Sequence, residues 1–396
     1  MTAGIHVLGA SRTLPFHSIG GMQAIAWDVF RMLAQQGHRV TVLTTAIPGR
    51  QAAFEADGVR VEPVASAAPE RYSPAWWRDS DAAALRVHAE RPVDAVLSIS
   101  SAAAELSRFR AAAPHVPFVF QAHGTSWGEF LSKWRSGEPL KWLKSAKNLF
   151  WTFKDARIYR RFDHIALCGD VLAQQFNAWP MPWVAGDVPC SLIRNGIDTQ
   201  RFRPDAEAAA RTRQRFGVDP QRPLIVFASR LHAQKGAREL VQAFDWLAAS
   251  HPEPELLIIG GGEEEAALRA QAAATSCAHR IHFTGAVDRA DMPALLAAGQ
   301  VFAFPSLAQE GLPMSVLEAL ACGLPAVASD SMRPVFLPGL GLRFCEPRDP
   351  AAFATALRDA LADNPPGSPA RGRLTPEYVL SECAQAYARL LARPKA

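Results

Sequence analysis

Four charged residues in the second half of the chain, Arg230, Lys235, Glu310 and Glu318, have the types and spacing to hold a polyanion that carries hydroxyl groups on either side. Arg230 and Lys235 follow the apolar run Leu224–Ser229. Arg230 offers a guanidinium fork and Lys235 a point charge, a pair suited to a pyrophosphate, although either alone also reads as a solvated surface residue. Glu310 and Glu318 belong to the stretch from Phe302 to Pro325. There an apolar run ends at Pro305, a short loop follows, and Pro313 sits where a first helical residue tolerates proline. Met314 to Cys322 is rich in helix formers, Gly323 supplies a left-handed cap, and Leu324-Pro325 prevents continuation into the next buried strand. Glu310 therefore falls in a loop and Glu318 on a helix. The first-turn N–H groups of that helix lack intrahelical partners and favour a diphosphate, and the two carboxylates can accept hydroxyl hydrogen bonds beside it. The alternative is a capped helix with one loop glutamate and one solvated one.

Two alternating series of strands and helices would position these groups. The first begins with Ile5–Leu8, a loop to Ser18-Ile19-Gly20-Gly21, and a helix from Met22 to Gln36 with Ile25, Val29, Phe30 and Leu33 at helical spacing. Gly20 and Gly21 either let backbone approach a phosphate or form a plain turn between strand and helix. Strands Val40–Thr44, Val59–Val64, Val93–Ser98, Phe118–Gln121, Ile165–Cys168 and Leu192–Ile193 follow, separated by helical segments. That pattern predicts a doubly wound parallel sheet. His123 comes just after Phe118–Gln121, at the strand end where open α/β sheets bind ligands. It reads as a group that orients a hydroxyl or phosphate, or as a satisfied structural histidine.

The second series starts after Asn195-Gly196-Ile197-Asp198, whose proline-, arginine- and acid-rich continuation to Pro223 reads as a crossover between domains. Leu224–Ser229, Glu255–Ile259, Ile281–Phe283, Val301–Phe304, Ala326–Ala328 and Leu342–Cys345 are its strands. Gly260-Gly261-Gly262 is followed by three glutamates, which would repel a pyrophosphate placed at that helix start, so the glycines read as a tight turn near a nucleotide. The expected domains are 1–196 and 197–375, and Asn364–Gly372, rich in proline and glycine, reads as a hinge near the end of the second. A tail helix from Pro376 to about Leu391 is expected to pack back on the first domain.

A chain of 396 residues, nearly half of them hydrophobic, supports two such cores. The formal net charge of +4 is too small to argue for nucleic acid. Six cysteines without a C-x-x-C pair read as reduced thiols. Met1-Thr2-Ala3-Gly4 leads straight into a strand with no leader pattern, and no run approaches a bilayer-spanning length, so a cytoplasmic protein is expected. Asp79-Ser80-Asp81 resembles a metal-binding Asp-x-Asp, but two lone carboxylates underfill an octahedral site, and N-capping of an alanine-rich helix explains them. Asp288 and Asp291 read as turn and cap residues. From Trp127 to Arg161, tryptophans and phenylalanines alternate with lysines and arginines. On a helical wheel Trp142, Leu143, Ala146, Leu149, Phe150 and Phe153 fall on one side, with Lys144, Lys147, Trp151 and Lys154 on the other. An anionic membrane surface and an internally packed amphipathic helix are both consistent with that pattern.

Taken together, Gly20-Gly21, Asn195-Gly196-Ile197-Asp198, Arg230 with Lys235-Gly236, Leu257–Gly260 and Glu310-x7-Glu318 make this chain resemble the family-4 (group 1) retaining glycosyltransferases. The resemblance implies a GT-B fold, two Rossmann-like α/β domains facing across a cleft. It implies transfer of a sugar from a nucleotide-sugar donor without an obligatory metal or other cofactor. Carried over, Arg230 and Lys235 grip the donor diphosphate, Glu310 holds the donor sugar, and Glu318 accepts from the ribose. Gly311, Leu312 and Pro313 line sugar and phosphate. Gly20 and Gly21 meet the phosphate, Gly260 lies near the nucleotide, Val287 meets the base, and His123 lies near sugar or acceptor. The acceptor expected is a lipid-linked or cell-envelope glycan, with the protein peripheral on a membrane. The alternatives are an epimerase or phosphorylase on the same fold, or an inactive scaffold.

Overall fold

The computed structural model describes residues 4–18, 20–135, 139–308, 310–365 and 372–394. Ile19 and Gln309 of the motifs above, and most of the expected hinge, lie outside the described residues. So do the side chains at 132, 133, 135, 139–146 and 149, which include Trp142, Leu143, Lys144 and Ala146.

In chain order the first half comprises β1 (His6–Ser11), α1 (Gly21–Gln35), β2 (Arg39–Thr45), β3 (Phe54–Ala56), β4 (Val59–Val64), α2 (Pro74–Glu90), β5 (Ala95–Ile99), α3 (Ser107–Ala112), β6 (Phe118–Ala122), α4 (Ser126–Arg135), α5 (Pro139–Tyr159), β7 (His164–Leu167), α6 (Asp170–Asn177), α7 (Met181–Ala185) and β8 (Cys190–Leu192). The second half comprises α8 (Ala206–Phe216), β9 (Leu224–Ala228), α9 (Ala237–Ser250), β10 (Glu255–Ile259), α10 (Glu265–Ala273), β11 (Ile281–Gly285), α11 (Met292–Ala297), β12 (Val301–Phe304), α12 (Met314–Ala321), β13 (Ala326–Ser329), β14 (Leu342–Cys345), α13 (Pro350–Asp363) and α14 (Leu380–Leu391).

These elements form two compact units, one running to Gly196 and taking in Leu380 onward, the other Ile197–Val379. The first holds an eight-stranded sheet of order β3-β4-β2-β1-β5-β6-β7-β8. Every pairing is parallel except that of β3, a short antiparallel edge strand with no signal in the sequence. The second holds six parallel strands of order β11-β10-β9-β12-β13-β14. The β9 strand is buried throughout, with no alternation of faces, as a sheet covered on both sides requires.

The tail splits differently from the expected single helix. A short turn at Pro376–Tyr378 belongs to the second unit, where the Tyr378 hydroxyl accepts from the Leu337 N–H at 3.3 Å. Only α14 returns to the first. It buries Leu380, Cys383, Ala384, Tyr387, Leu390 and Leu391, and the Tyr387 hydroxyl accepts from Gln121 Nε2 at 2.8 Å inside the core. A Cβ on Gly196 would lie 2.6 Å from the Leu380 Cα, so glycine is needed where the two segments touch.

Three expectations from the sequence are corrected. The segment read as a crossover contains α8, capped by the Asp205 side chain and ended by Gly217. Its charges disguised it, because the buried face is Ala208, Thr212 and Arg213, and the Arg213 guanidinium donates to the Ala298, Asp219 and Arg222 carbonyls. The pair Asp79 and Asp81 sits inside α2, which Ser73 caps. Asp81 instead accepts from the Arg108 and Phe109 N–H groups at the start of α3, while Asp79 pairs with Arg78 and Ser66. Among the described side chains of α5 the buried ones are Asn148, Thr152, Ala156 and Tyr159, whereas Phe150 and Phe153 are exposed together with Lys147 and Lys154, which the helical wheel sets on the opposite side.

Tyr387→Phe should strand the buried Gln121 amide and lower stability by about 1–3 kcal/mol, read as a reduced urea midpoint. An unchanged midpoint would mean that the hydrogen bond does not hold α14 in place.

Candidate functional site

Because every strand of the second unit is parallel, the loops after β9, β10, β11 and β12 all leave the same edge of the sheet. Strand order reverses between β9 and β12, which pair directly, and a crevice opens at such a reversal. Lys235 follows β9 and Glu310 follows β12. The structure brings these two together, with Lys235 Nζ 2.6 Å from Glu310 Oε1.

Several contacts hold that pair in place. Ser306, fully buried, donates from its hydroxyl to the same Glu310 Oε1 at 2.8 Å. The Leu307 N–H donates to the Gln234 carbonyl at 2.9 Å, and the Ser329 hydroxyl donates to the Ser306 carbonyl at 2.7 Å. Gly236 closes the turn with φ +72°, and a Cβ there would lie 1.9 Å from the Pro305 carbonyl oxygen. Only glycine satisfies both demands. Glu310 Oε2 meets no donor among the described residues, so one carboxylate oxygen is fixed and the other is available.

Pro313 proves to be the cap of α12 and Met314 its first residue. No side chain caps this helix and its first turn holds no acid, so its N–H groups are open to an anion. Gly311 is exposed, Leu312 partly so, and Pro313 is buried, along the approach to that helix end. Glu318 is buried on the second turn with its carboxylate 3.1 Å from Arg289 NH2. Arg289 lies two residues beyond the partly exposed Val287 in the loop after β11, and its carbonyl accepts from Arg201 NH2 at 2.7 Å. Gly260 directly follows β10 and donates its N–H to the Gly285 carbonyl at 3.1 Å. The three glutamates after it are each engaged by a partner: Glu263 by His232, Glu264 by Arg238 and Glu265 by Arg269. Arg230 is exposed in the β9 loop, and no contact joins it to Lys235, Glu310 or Glu318.

The sequence reading missed Ser306 and Arg289. Ser306 carries a signal, a hydroxyl four residues before the loop glutamate and directly after the strand-ending proline. Arg289 carries none, because its pairing with Glu318 spans 29 residues.

In the first unit Gly20 caps α1 with extended backbone and Gly21 begins the helix. No side chain caps this helix, and a Cβ on Gly21 would meet nothing within 4 Å. His123 follows β6. Its Nε2 is shut off from solvent and has no hydrogen-bond partner among the described residues, and burial pulls its pKa down to about 4. The ring is therefore neutral at physiological pH, with one nitrogen available.

Comparison with known proteins identifies the family. Residues 19–201 match the family model described as Glycosyltransferase Family 4, and residues 209–377 match Glycosyl transferases group 1. The chain belongs to this glycosyltransferase family, and its fold is of the GT-B class. It is similar to a GDP-mannose-dependent alpha-(1-6)-phosphatidylinositol monomannoside mannosyltransferase of Mycolicibacterium smegmatis, with 38% identity over 176 residues, 42% of this chain and 46% of that one. It is similar to a glycogen synthase of Mycobacterium tuberculosis, with 28% identity over 269 residues, 67% of this chain and 59% of that one. In each case the match spans about half the relative's length. Sucrose-phosphate synthase from Thermosynechococcus elongatus shares the fold, with a TM-score of 0.67 at 19% identity over 98% of this chain and 95% of that one.

An unfolded histidine titrates near 6.5 and His123 near 4, so the unfolded chain holds the extra proton between these values. The stability that neutral His123 contributes is complete above about pH 6.5 and is lost as pH falls towards 4. An NMR titration should place the His123 midpoint well below 6.5, and a midpoint at or above 6.5 would contradict its burial.

Proposed function

We propose that this protein moves a hexose from a nucleotide-sugar donor to a glycan acceptor, with retention of anomeric configuration and without an obligatory metal. The observation that carries the reading is the Lys235–Glu310 pair at the β9/β12 reversal, fixed by Ser306 beside the open end of α12. Breaking a sugar–phosphate bond builds negative charge on the departing diphosphate, and preorganised cations and backbone N–H groups lower that barrier.

A diphosphate carries at least two negative charges where Glu310 carries one. At an effective dielectric of about 20, two unit charges 4 Å apart interact by about 4 kcal/mol, so Lys235 is drawn to the diphosphate more strongly than to Glu310. Lys235 then serves the leaving group, and Glu310 turns its released oxygen to the hydroxyls of the donor sugar. Arg230, exposed on the same loop, adds a second cation. Glu318 accepts from the ribose once Arg289 yields it. Retention follows a front-face route, in which the leaving phosphate takes the acceptor's proton, and His123 orients sugar or acceptor through Nε2.

A lipid-linked or cell-envelope acceptor, met from the cytoplasmic side of a membrane, is favoured by the Mycolicibacterium relative, whose name specifies a phosphatidylinositol-borne acceptor. A screen of UDP-, GDP- and ADP-sugars, with GDP-mannose first, tests the donor, and product NMR tests retention. A dependence on phosphate in place of acceptor would instead assign a phosphorylase.

Lys235→Ala and Arg230→Ala should each lower turnover by about two orders of magnitude, as loss of a transition-state donor does. Near wild-type rates in both variants would refute the assignment. Glu318→Ala should raise the dissociation constant for the donor, and unchanged affinity would remove its role.

A further inference from the structure

Among the described side chains of α5, the buried ones, Asn148, Thr152, Ala156 and Tyr159, are mostly small or polar, and two of them serve local bonding: Asn148 Nδ2 donates to Glu129 at 3.4 Å, and the Thr152 hydroxyl donates to the Asn148 carbonyl at 3.0 Å. Its phenylalanines point the other way, Phe150 being 71% exposed and Phe153 57% exposed. The exposed apolar surface continues onto α7. Trp183 is 56% exposed and meets the Phe153 ring edge-on at 5.9 Å, and Trp179, just before that helix, is 79% exposed. A helix that turns such rings to water costs the hydrophobic free energy its burial would recover, so the face is built to be covered.

Its charges indicate what covers it. Lys147, Lys154 and Arg157 are exposed on the same side of α5, and Lys154 lies 4.3 Å from the centroid of the Trp151 ring. Arg160 is exposed beside Trp183 and donates to its carbonyl. Among the described residues the acids nearby are Glu129 and Asp187, both exposed, and Asp155, which is engaged by the Ser126 N–H at 3.0 Å. Protein interfaces deplete lysine from their centres, whereas here lysines bracket the phenylalanines. Aromatic rings with cations at their edges suit the headgroup level of a bilayer, and basic residues there attract anionic lipid. Among the described residues no helix is long and apolar enough to cross a membrane.

We propose that the outward face of α5 and α7, centred on Phe150, Phe153 and Trp183, docks flat on an anionic lipid bilayer and sinks these rings to the headgroup level. The inference deepens the lipid-borne acceptor reading and depends on it for its purpose, but the docking needs neither donor nor acceptor.

Sedimentation of the full chain with vesicles, in the absence of nucleotide sugar, tests it. The protein should bind phosphatidylglycerol/phosphatidylcholine vesicles at low salt and pure phosphatidylcholine only weakly. The double variant Phe150→Ser/Phe153→Ser should partition about tenfold less well or worse, since burying such side chains drives insertion. Lys147→Glu and Lys154→Glu should each cost about fivefold or more, and added salt should act in the same direction. All these positions are exposed, so transfer to a soluble acceptor should be unchanged in the variants, which shows that the fold is intact. No binding of the wild type to anionic vesicles at low salt overturns the proposal, as does wild-type binding by the phenylalanine variant. A wild-type dimer that the phenylalanine variant dissolves would assign the face to a second copy and overturn it too. None of these outcomes touches the transfer reaction, whose failure would appear with soluble acceptor alone.

Discussion

The second unit depends on two loops being stitched together where its strand order reverses. Gln234 and Leu307 supply the backbone hydrogen bond, Gly236 the space beside Pro305, and Lys235 with Glu310 the charge. The Lys–Glu contact is partly solvated and so contributes modestly to stability on its own. Its importance is positional. One carboxylate oxygen is pinned by an ammonium and a buried hydroxyl, so a small change in where Lys235 points redirects Glu310. A ligand that competes for the cation therefore prepares the carboxylate as it binds.

The first unit is built on a different support. In the first unit the sheet reverses between β1 and β5, α1 begins without a cap beyond β1, and His123 follows β6 with a nitrogen left open. The helix α14 closes this unit from beyond Ile197–Val379 in the chain, and Gln121 and Tyr387 join it to the strand that ends next to His123. Among its described side chains, α5 in this unit buries Asn148 and Thr152 and exposes Phe150 and Phe153.

The sheets were legible in the sequence because covered parallel strands are continuous apolar runs, and Leu224–Ala228 and Glu255–Ile259 fall where those runs lie. The loop–helix unit from Pro305 to Gly323 was legible because proline and glycine punctuate it. Where charge served packing, the pattern misled. Arg213 is buried by carbonyls 6 to 85 residues away, so α8 looked like a linker. Asp81 looked like the cap of its own helix and proved to bond the first turn of another. The wheel for α5 set Phe150 and Phe153 against Lys147 and Lys154, whereas all four share the exposed side, because the fold covers the face of Asn148, Thr152, Ala156 and Tyr159. Among the site residues, Glu310 and Lys235 were visible as types and the anchor Ser306 left a local signal four residues before Glu310, whereas Arg289, the Glu318 partner, emerges only from long-range geometry.

The central claim is that the β9 and β12 loops form a receptor for a nucleotide's phosphates. Its most direct test is calorimetric binding of a nucleoside diphosphate and of the matching nucleoside to the wild type and to Lys235→Met. The diphosphate should bind the wild type far more tightly than the nucleoside, and that difference should largely collapse in Lys235→Met while nucleoside affinity stays constant. An advantage for the diphosphate that survives the substitution in full would contradict the claim.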